Sequence, residues 1–252
     1  MSDNRVTKED RDRIKSYADR KAAHERAVKA RKRKNRIIVW SISGVFAIAL
    51  GIGIVSAVLS VTSPTVEVSA TPTATADGSP DAALSEYRVW SGSMDVAGVP
   101  ITFELNGEAA PKAVASTISL IGSGFYEGIS CHRLTTEGIY VLQCGDPAGD
   151  GTGGPGYSYG PVENAPADNV YPAGTIAMAR QGGNGNSMGS QFFLVYEDST
   201  IPSDAAGGYT VIGHITSGLP ELIEKVTSQG TADGGSDGTP KIPVTITGAT
   251  VK

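Results

Sequence analysis

The 252-residue chain is poor in the side chains that hold metals or drive covalent chemistry: it has two cysteines and three histidines. His24 lies in a basic N-terminal tail, which leaves His132 and His214 for the rest of the chain. Two His and two Cys scattered over different segments do not make a structural or catalytic metal set. Cys131 and His132 are adjacent, and adjacent strand residues point to opposite faces, so they do not form a nucleophile–base pair. The glycine-rich run GDGTGGPG lacks the GK[ST] that a phosphate-binding loop requires, and it reads as a turn. No metal, nucleotide or other cofactor is expected. Aromatics are scarce at 6%, whereas glycine is plentiful at 32 residues, which favours a turn-rich β fold over a helical bundle.

Charge is missing altogether from Ile37 to Val61. These 25 residues exceed the roughly 20 needed to cross a hydrocarbon core as a helix. A cleaved signal peptide has a shorter apolar run, about 7–15 residues, and a shorter basic head. The segment therefore reads as an uncleaved transmembrane signal anchor. Residues 1–36 carry 14 Lys and Arg against 6 Asp and Glu, and the basic cluster Ala30–Arg36 abuts the apolar run. No further Lys or Arg occurs until Arg88. By the positive-inside rule the N-terminus is cytoplasmic and the remainder extracytoplasmic, in a single-pass protein of the cell membrane. The cluster needs no nucleic-acid partner to explain it.

Composition divides the chain into a basic tail (1–36), the anchor (37–61), a Ser/Thr/Pro/Ala-rich linker (62–85) and a globular domain (86–252). In the domain, Tyr87–Val96 and Val99–Leu105 read as strands around an Ala97–Gly98 turn. Pro111 opens a helix in which Ala113, Val114, Thr117, Ile118 and Ile121 recur at helical spacing. Further strands are expected at Ile129–Leu134, Ile139–Gln143, Thr175–Ala179, Gln191–Tyr196, Tyr209–Ile215 and Pro243–Val251. Pro220 begins a second helix that should end at Gly230. Two helices among about eight strands, without a βαβ rhythm, predict a mainly β fold: an eight-stranded, closed antiparallel barrel with two capping helices, preceded by one transmembrane helix.

The arginines narrow the search, because the domain has only Arg88, Arg133 and Arg180. An arginine on a strand of an acidic domain can simply pair with a carboxylate. The stretches around two of them, however, FYEGISCHRLTTEGIYVLQCGDPAGDGTGGPGY (Phe125–Tyr157) and GTIAMARQGGNGNSMGSQFFLVY (Gly174–Tyr196), resemble the central motifs of the cyclophilins. The likeness extends in order from about Thr102 to Lys252, and the anchored form with SCHRL and LQCGD is similar to membrane-bound cyclophilins of actinobacteria.

The resemblance implies a peptidyl-prolyl cis-trans isomerase that assists folding of exported proteins, with proline-containing polypeptides as partners and a monomer as the expected assembly. It assigns Arg133 as the catalytic arginine and Gln143 as the residue that orients it. Phe193 becomes the floor of the proline pocket, with Gln191 two residues before it. Ala179, Arg180 and Gln181 fall on the segment that hydrogen-bonds the peptide. The pocket phenylalanine and methionine of the family fall on Tyr140 and Val141, and a longer loop at Thr135–Gly138 leaves that alignment one residue of slack. The family's tryptophan falls near Ile201 and its pocket histidine on Tyr209. Cys131 and Cys144 sit on two strands expected to pair, and the sequence leaves open a disulfide or two buried thiols. Two other functions stay open: a proline-peptide binding module with little turnover, and a cytoplasmic tail that docks a cytosolic partner.

Overall fold

The computed structural model describes residues 75–252. The tail, the expected anchor and most of the linker lie outside the described residues. Among the described residues, no helix is long and apolar enough to cross a membrane.

The order of elements is β1 (Val89–Val96), β2 (Val99–Asn106), α1 (Pro111–Gly122), β3 (Arg133–Thr135), β4 (Val141–Cys144), β5 (Val170–Tyr171), β6 (Thr175–Met178), β7 (Phe192–Val195), β8 (Ser199–Thr200), β9 (Val211–Ser217), α2 (Leu219–Lys225), β10 (Asp237–Gly238) and β11 (Ile246–Val251). Nine strands form one curled sheet in the order β10-β3-β4-β7-β6-β9-β2-β1-β11, and β5 and β8 form a separate ribbon. Every pairing is antiparallel.

Alternation explains how the strands sit. In β2, Val99, Ile101, Phe103 and Leu105 are buried while Pro100, Thr102 and Asn106 are exposed, so one face turns to the core. The hairpin to β1 closes through Ala97 and Gly98, both at positive φ, the twist that a two-residue hairpin turn requires. Register shifts at Ser93–Asp95, Thr102–Phe103 and Ile176–Ala177 bend the sheet, because an extra residue on one strand sharpens its local twist. At Gly213, a Cβ would come within 1.9 Å of the Glu104 carbonyl oxygen, so only glycine lets β9 lie this close to β2. The core inside the curl includes the fully buried Leu134, Leu142, Leu194 and Ile212. Cutting one of these to alanine would cost about 2–5 kcal/mol.

The architecture departs from the expected eight-stranded closed barrel. The sheet is a half-barrel of nine strands, and the irregular segment before β3, instead of a regular ladder, meets the chain at the start of β11. Gly128 N–H donates to Ile246 O (2.9 Å) and Cys131 N–H to Val244 O (3.0 Å). Ile129–Leu134 was expected as a continuous strand, but only Arg133–Thr135 is regular. The additional strand, β10, is two residues in a Gly/Asp-rich loop and carries no hydrophobic alternation to reveal it.

The first helix holds to its sequence cues. α1 buries Ala113–Ile118, Leu120 and Ile121. Its N-terminus lacks a cap from its own neighbour, and the carboxylate of Glu163 supplies one by accepting from Lys112 N (3.2 Å) and Ala113 N (3.0 Å). α2 stops at Lys225 instead of running to Gly230, because Val226 leaves helical geometry and the chain continues as a 3-10 turn, Thr227–Gln229.

Ordered packing also starts upstream of Glu86. Asp81 caps a 3-10 turn at Ala82–Ser85 by accepting from Ala83 N (2.8 Å). Leu84 packs on the core, Ser85 is buried, and the turn lies against α1. Composition alone read these residues as linker, because one aspartate and one leucine do not register in a Ser/Ala/Pro-rich run.

Candidate active site

The register of four strands builds the site on the outer face of the sheet. Arg133 on β3 pairs with Gln143 on β4, Gln143 with Phe193 on β7, and Phe193 with Ala177 on β6. Directly paired residues share a face, so this row carries a cation, an amide, an aromatic ring and a small side chain side by side.

The polar end of the row is a relay. Arg133 Nη1 donates to Gln143 Oε1 (3.3 Å), and Gln143 Nε2 donates to Gln191 Oε1 (2.9 Å). Gln191 Nε2 donates in turn to the carbonyls of Gly151 and Gly153, both at 2.9 Å. The loop holding those carbonyls is organised by the buried carboxylate of Asp146, which accepts from Ala148 N (2.7 Å), Asp150 N (3.0 Å) and Gly151 N (2.5 Å). The other edge of the Arg133 guanidinium faces Asp237 as a two-point fork, Nε to Oδ1 and Nη2 to Oδ2, each 2.7 Å. Hydrogen bonding to Asp237 raises the Arg133 pKa against the opposing effect of partial burial, and the same bond lowers the Asp237 pKa.

The apolar end is an aromatic pocket. Phe193 meets Tyr209 edge-on at 5.5 Å between ring centroids and Tyr171 at 6.4 Å. Val141, Ile201, Ile139 and Val211 complete the cluster. Tyr171 locks Tyr209 in place, since its hydroxyl accepts from Tyr209 N (2.8 Å). A groove of about 730 Å³ runs on from Gln143 and Gln191 past Gly151–Ser158 to Ala179–Gln181.

Most sequence-assigned residues meet here: Arg133, Gln143, Gln191, Phe193, Val141, Ile201 and Tyr209 share this face. Tyr140 does not. It packs edge-on against Tyr196 (5.9 Å) beside the main core, and its place in the pocket is taken by Ile139. The one-residue slack in the 135–138 loop was the cause, and a shift of one flips a strand residue to the opposite face.

Around the 179–181 segment, Ala179 N–H is committed to Gln191 O (2.9 Å). Gln181 lines the groove while its N–H donates to Ser187 Oγ (2.8 Å). The Arg180 guanidinium is engaged on every nitrogen: with Gly208 O (2.9 Å), Gln181 O (3.1 Å), Gly207 O and both oxygens of Asp204 (2.9 Å each). It also lies 4.8 Å from the centroid of the Tyr209 ring.

Sequence reasoning missed three contributors. Asp237 was hidden in the repetitive TADGGSDG loop. Tyr171 lies on a two-residue strand to which no element was assigned, and its one local signal is an aromatic side chain between Val170 and Pro172. Ile139 was lost to the slip just described. Cys131 and Cys144 are joined by a disulfide on the core side of the Arg133–Gln143 pair, with Cα atoms 3.8 Å apart. Among the described residues no cluster of His, Cys, Asp or Glu could hold a metal.

A fixed guanidinium beside an aromatic pocket and an extended groove suits a protein that grips a peptide around one apolar ring. The profile of the "Cyclophilin type peptidyl-prolyl cis-trans isomerase/CLD" family matches residues 93–251. The chain belongs to the cyclophilin-type peptidyl-prolyl cis-trans isomerase family. It is 46% identical over 154 residues to the "Probable peptidyl-prolyl cis-trans isomerase B" of Mycobacterium tuberculosis, which covers 57% of this chain and 48% of that one. The chain thus spans about half the length of this mycobacterial relative. It is 42% identical over 122 residues to the "Peptidyl-prolyl cis-trans isomerase B" of Bacillus subtilis, covering 48% of this chain and 80% of that one. Among solved structures, a cyclophilin type peptidyl-prolyl cis-trans isomerase of Cryptosporidium parvum superposes with a TM-score of 0.53 at 25% identity, covering 65% of this chain and 98% of that one.

Proposed function

We propose that this chain is a membrane-tethered peptidyl-prolyl cis-trans isomerase that acts on X–Pro bonds of exported proteins from the extracytoplasmic side. The observation that carries the isomerase reading is the row Arg133–Gln143–Phe193 on one sheet face, with its relay and its pocket.

Resonance flattens the X–Pro amide and sets a rotation barrier of about 18–20 kcal/mol. At the twisted transition state the prolyl nitrogen regains a lone pair. A guanidinium N–H placed beside it can then form a hydrogen bond that the planar ground state cannot accept. This is differential binding, the only kind that speeds the step. One hydrogen bond to a charged group contributes roughly 1.5–3 kcal/mol. The rest falls to the pocket of Phe193, Tyr209, Val141 and Ile201, which strips water from the ring, and to fixed backbone dipoles along the groove.

The changed rim favours one second reading. Ile201 and Tyr209 stand where the resemblance places tryptophan and histidine, which suits a module that binds proline peptides with little turnover. A protease-coupled isomerase assay on an X–Pro peptide separates the two: turnover with the full chain supports the enzyme, and binding without turnover replaces it with the module.

The extracytoplasmic assignment rests on the apolar run Ile37–Val61 and the basic cluster before it. External protease added to intact cells should remove the domain and spare the tail. A domain protected until lysis would reverse the topology.

A further inference from the structure

We infer that Asp237 is a positioning residue for the isomerase reaction, holding the Arg133 guanidinium by one edge so that its remaining donors stay aimed along the sheet face. The inference rests on the reading of Arg133 as the group that touches the prolyl nitrogen.

The placement follows from β10. Its two residues pair with β3, Asp237 opposite Thr135 and Gly238 opposite Leu134. Asp237 is therefore the diagonal neighbour of Arg133, a spacing that long side chains span. The backbone of the loop is fixed independently: Thr136 N–H donates to Ser236 O (2.8 Å), Ala232 N–H to Thr239 O (2.8 Å), and Thr231 Oγ1 to Gly235 O (2.6 Å). The loop's other aspartate, Asp233, stays exposed, folds back on its own loop and accepts from Gly235 N (3.0 Å). Two aspartates four residues apart thus do different work, and only one reaches the arginine.

Donor accounting shows what the fork achieves. Of five guanidinium N–H groups, Nε and one on Nη2 go to Asp237, and one on Nη1 goes to Gln143. One N–H on each terminal nitrogen is left over. With only Gln143 as partner, at 3.3 Å, the guanidinium could swing on a flexible stem. The fork fixes its plane, as a planar bidentate pair does. The side chains of both partners remain well exposed, 40% for Arg133 and 52% for Asp237. An exposed pair adds little to fold stability, so the fork's value lies in orientation.

The test is a double-mutant cycle on the full chain, read by kcat and KM on an X–Pro peptide and by thermal unfolding. Asp237→Ala should lower kcat by about five- to twentyfold with KM within twofold and an unchanged melting temperature. Asp237→Asn, which keeps an acceptor but loses the charge, should lose less. In an Arg133→Ala background, Asp237→Ala should cost nothing further. Unchanged or raised kcat in Asp237→Ala, or an equal loss in both backgrounds, overturns the inference while leaving the role of Arg133 intact. Full activity in Arg133→Ala overturns that role and this inference with it.

Discussion

Arg133 on β3 and Arg180 just past the end of β6 are each forked by an aspartate beside the same site, yet they are built for opposite purposes. The Arg133 side chain is 40% exposed and keeps unused donors. The Arg180 side chain is 1% exposed, and its nitrogens are consumed by Asp204 and three carbonyls. A cation whose hydrogen bonds are all satisfied by its own chain cannot offer one to a substrate. Arg180 is therefore a staple: it ties residues 204–208 to the end of β6 and backs the ring of Tyr209. Arg133 is held just enough to be aimed. Residue type is the same in both places, and what separates an available cation from a scaffold is the number of donors left open.

The largest effect should come from the open arginine. Arg133→Ala is expected to lower isomerase activity at least tenfold, mainly in kcat, with the melting temperature unchanged because the side chain is half-exposed. Equal activity in wild type and variant would erase the contrast between the two arginines.

Arg180→Ala should show the reverse profile. KM is expected to rise about three- to tenfold with kcat within twofold, because the Tyr209 wall loosens while Arg133 is untouched. The lost buried hydrogen bonds of Arg180 should destabilise the fold by roughly 1–3 kcal/mol, visible as a lower denaturation midpoint. A fall in kcat at constant KM would place Arg180 in the chemistry after all.

The disulfide lies behind Arg133 and not behind Arg180. Replacing Cys131 and Cys144 by serine together should lower stability by roughly 3 kcal/mol, as expected for a closed loop of this size, and should reduce kcat more than it raises KM. Intact mass with and without reductant reports the bond directly.

The smallest effect concerns pH. Burial depresses the His132 pKa, aided by Arg133 and opposed by the Asp146 and Asp150 carboxylates. Below about pH 6.5, the unfolded chain takes up a proton that the folded site resists. The His132 contribution to stability should therefore fall as pH drops from about 6.5 towards the lowered folded pKa, and should level off below it. His132→Gln should remove that slope in denaturation midpoints without changing the behaviour of Arg180.

Much of the fold was legible because its signals are local. The alternation of Val99–Leu105, the helical spacing from Ala113 to Ile121 and the proline that starts α2 each reflect one element's own periodicity. The missed features are short and polar. β10 has no apolar side chain to announce it, and the turn at Ala82–Ser85 depends on one capping carboxylate and one buried leucine. The candidate site was legible in which residues it gathers and blurred in its geometry. Arg133, Gln143 and Phe193 were named from their motifs, whereas Tyr140 was placed in the pocket and belongs on the other side of its strand.

By itself, the sequence determined the segregation of charge around the Ile37–Val61 run, the residue types available for chemistry and the alternation of the longer strands. These depend only on composition and on the two- and 3.6-residue periods of the backbone. The tertiary structure alone decided which face each short strand turns to the pocket, which carboxylate grips which arginine, and that Cys131 meets Cys144. Those choices are made by pairings across up to about a hundred residues, as between Arg133 and Asp237, and a one-residue change of register would reverse them.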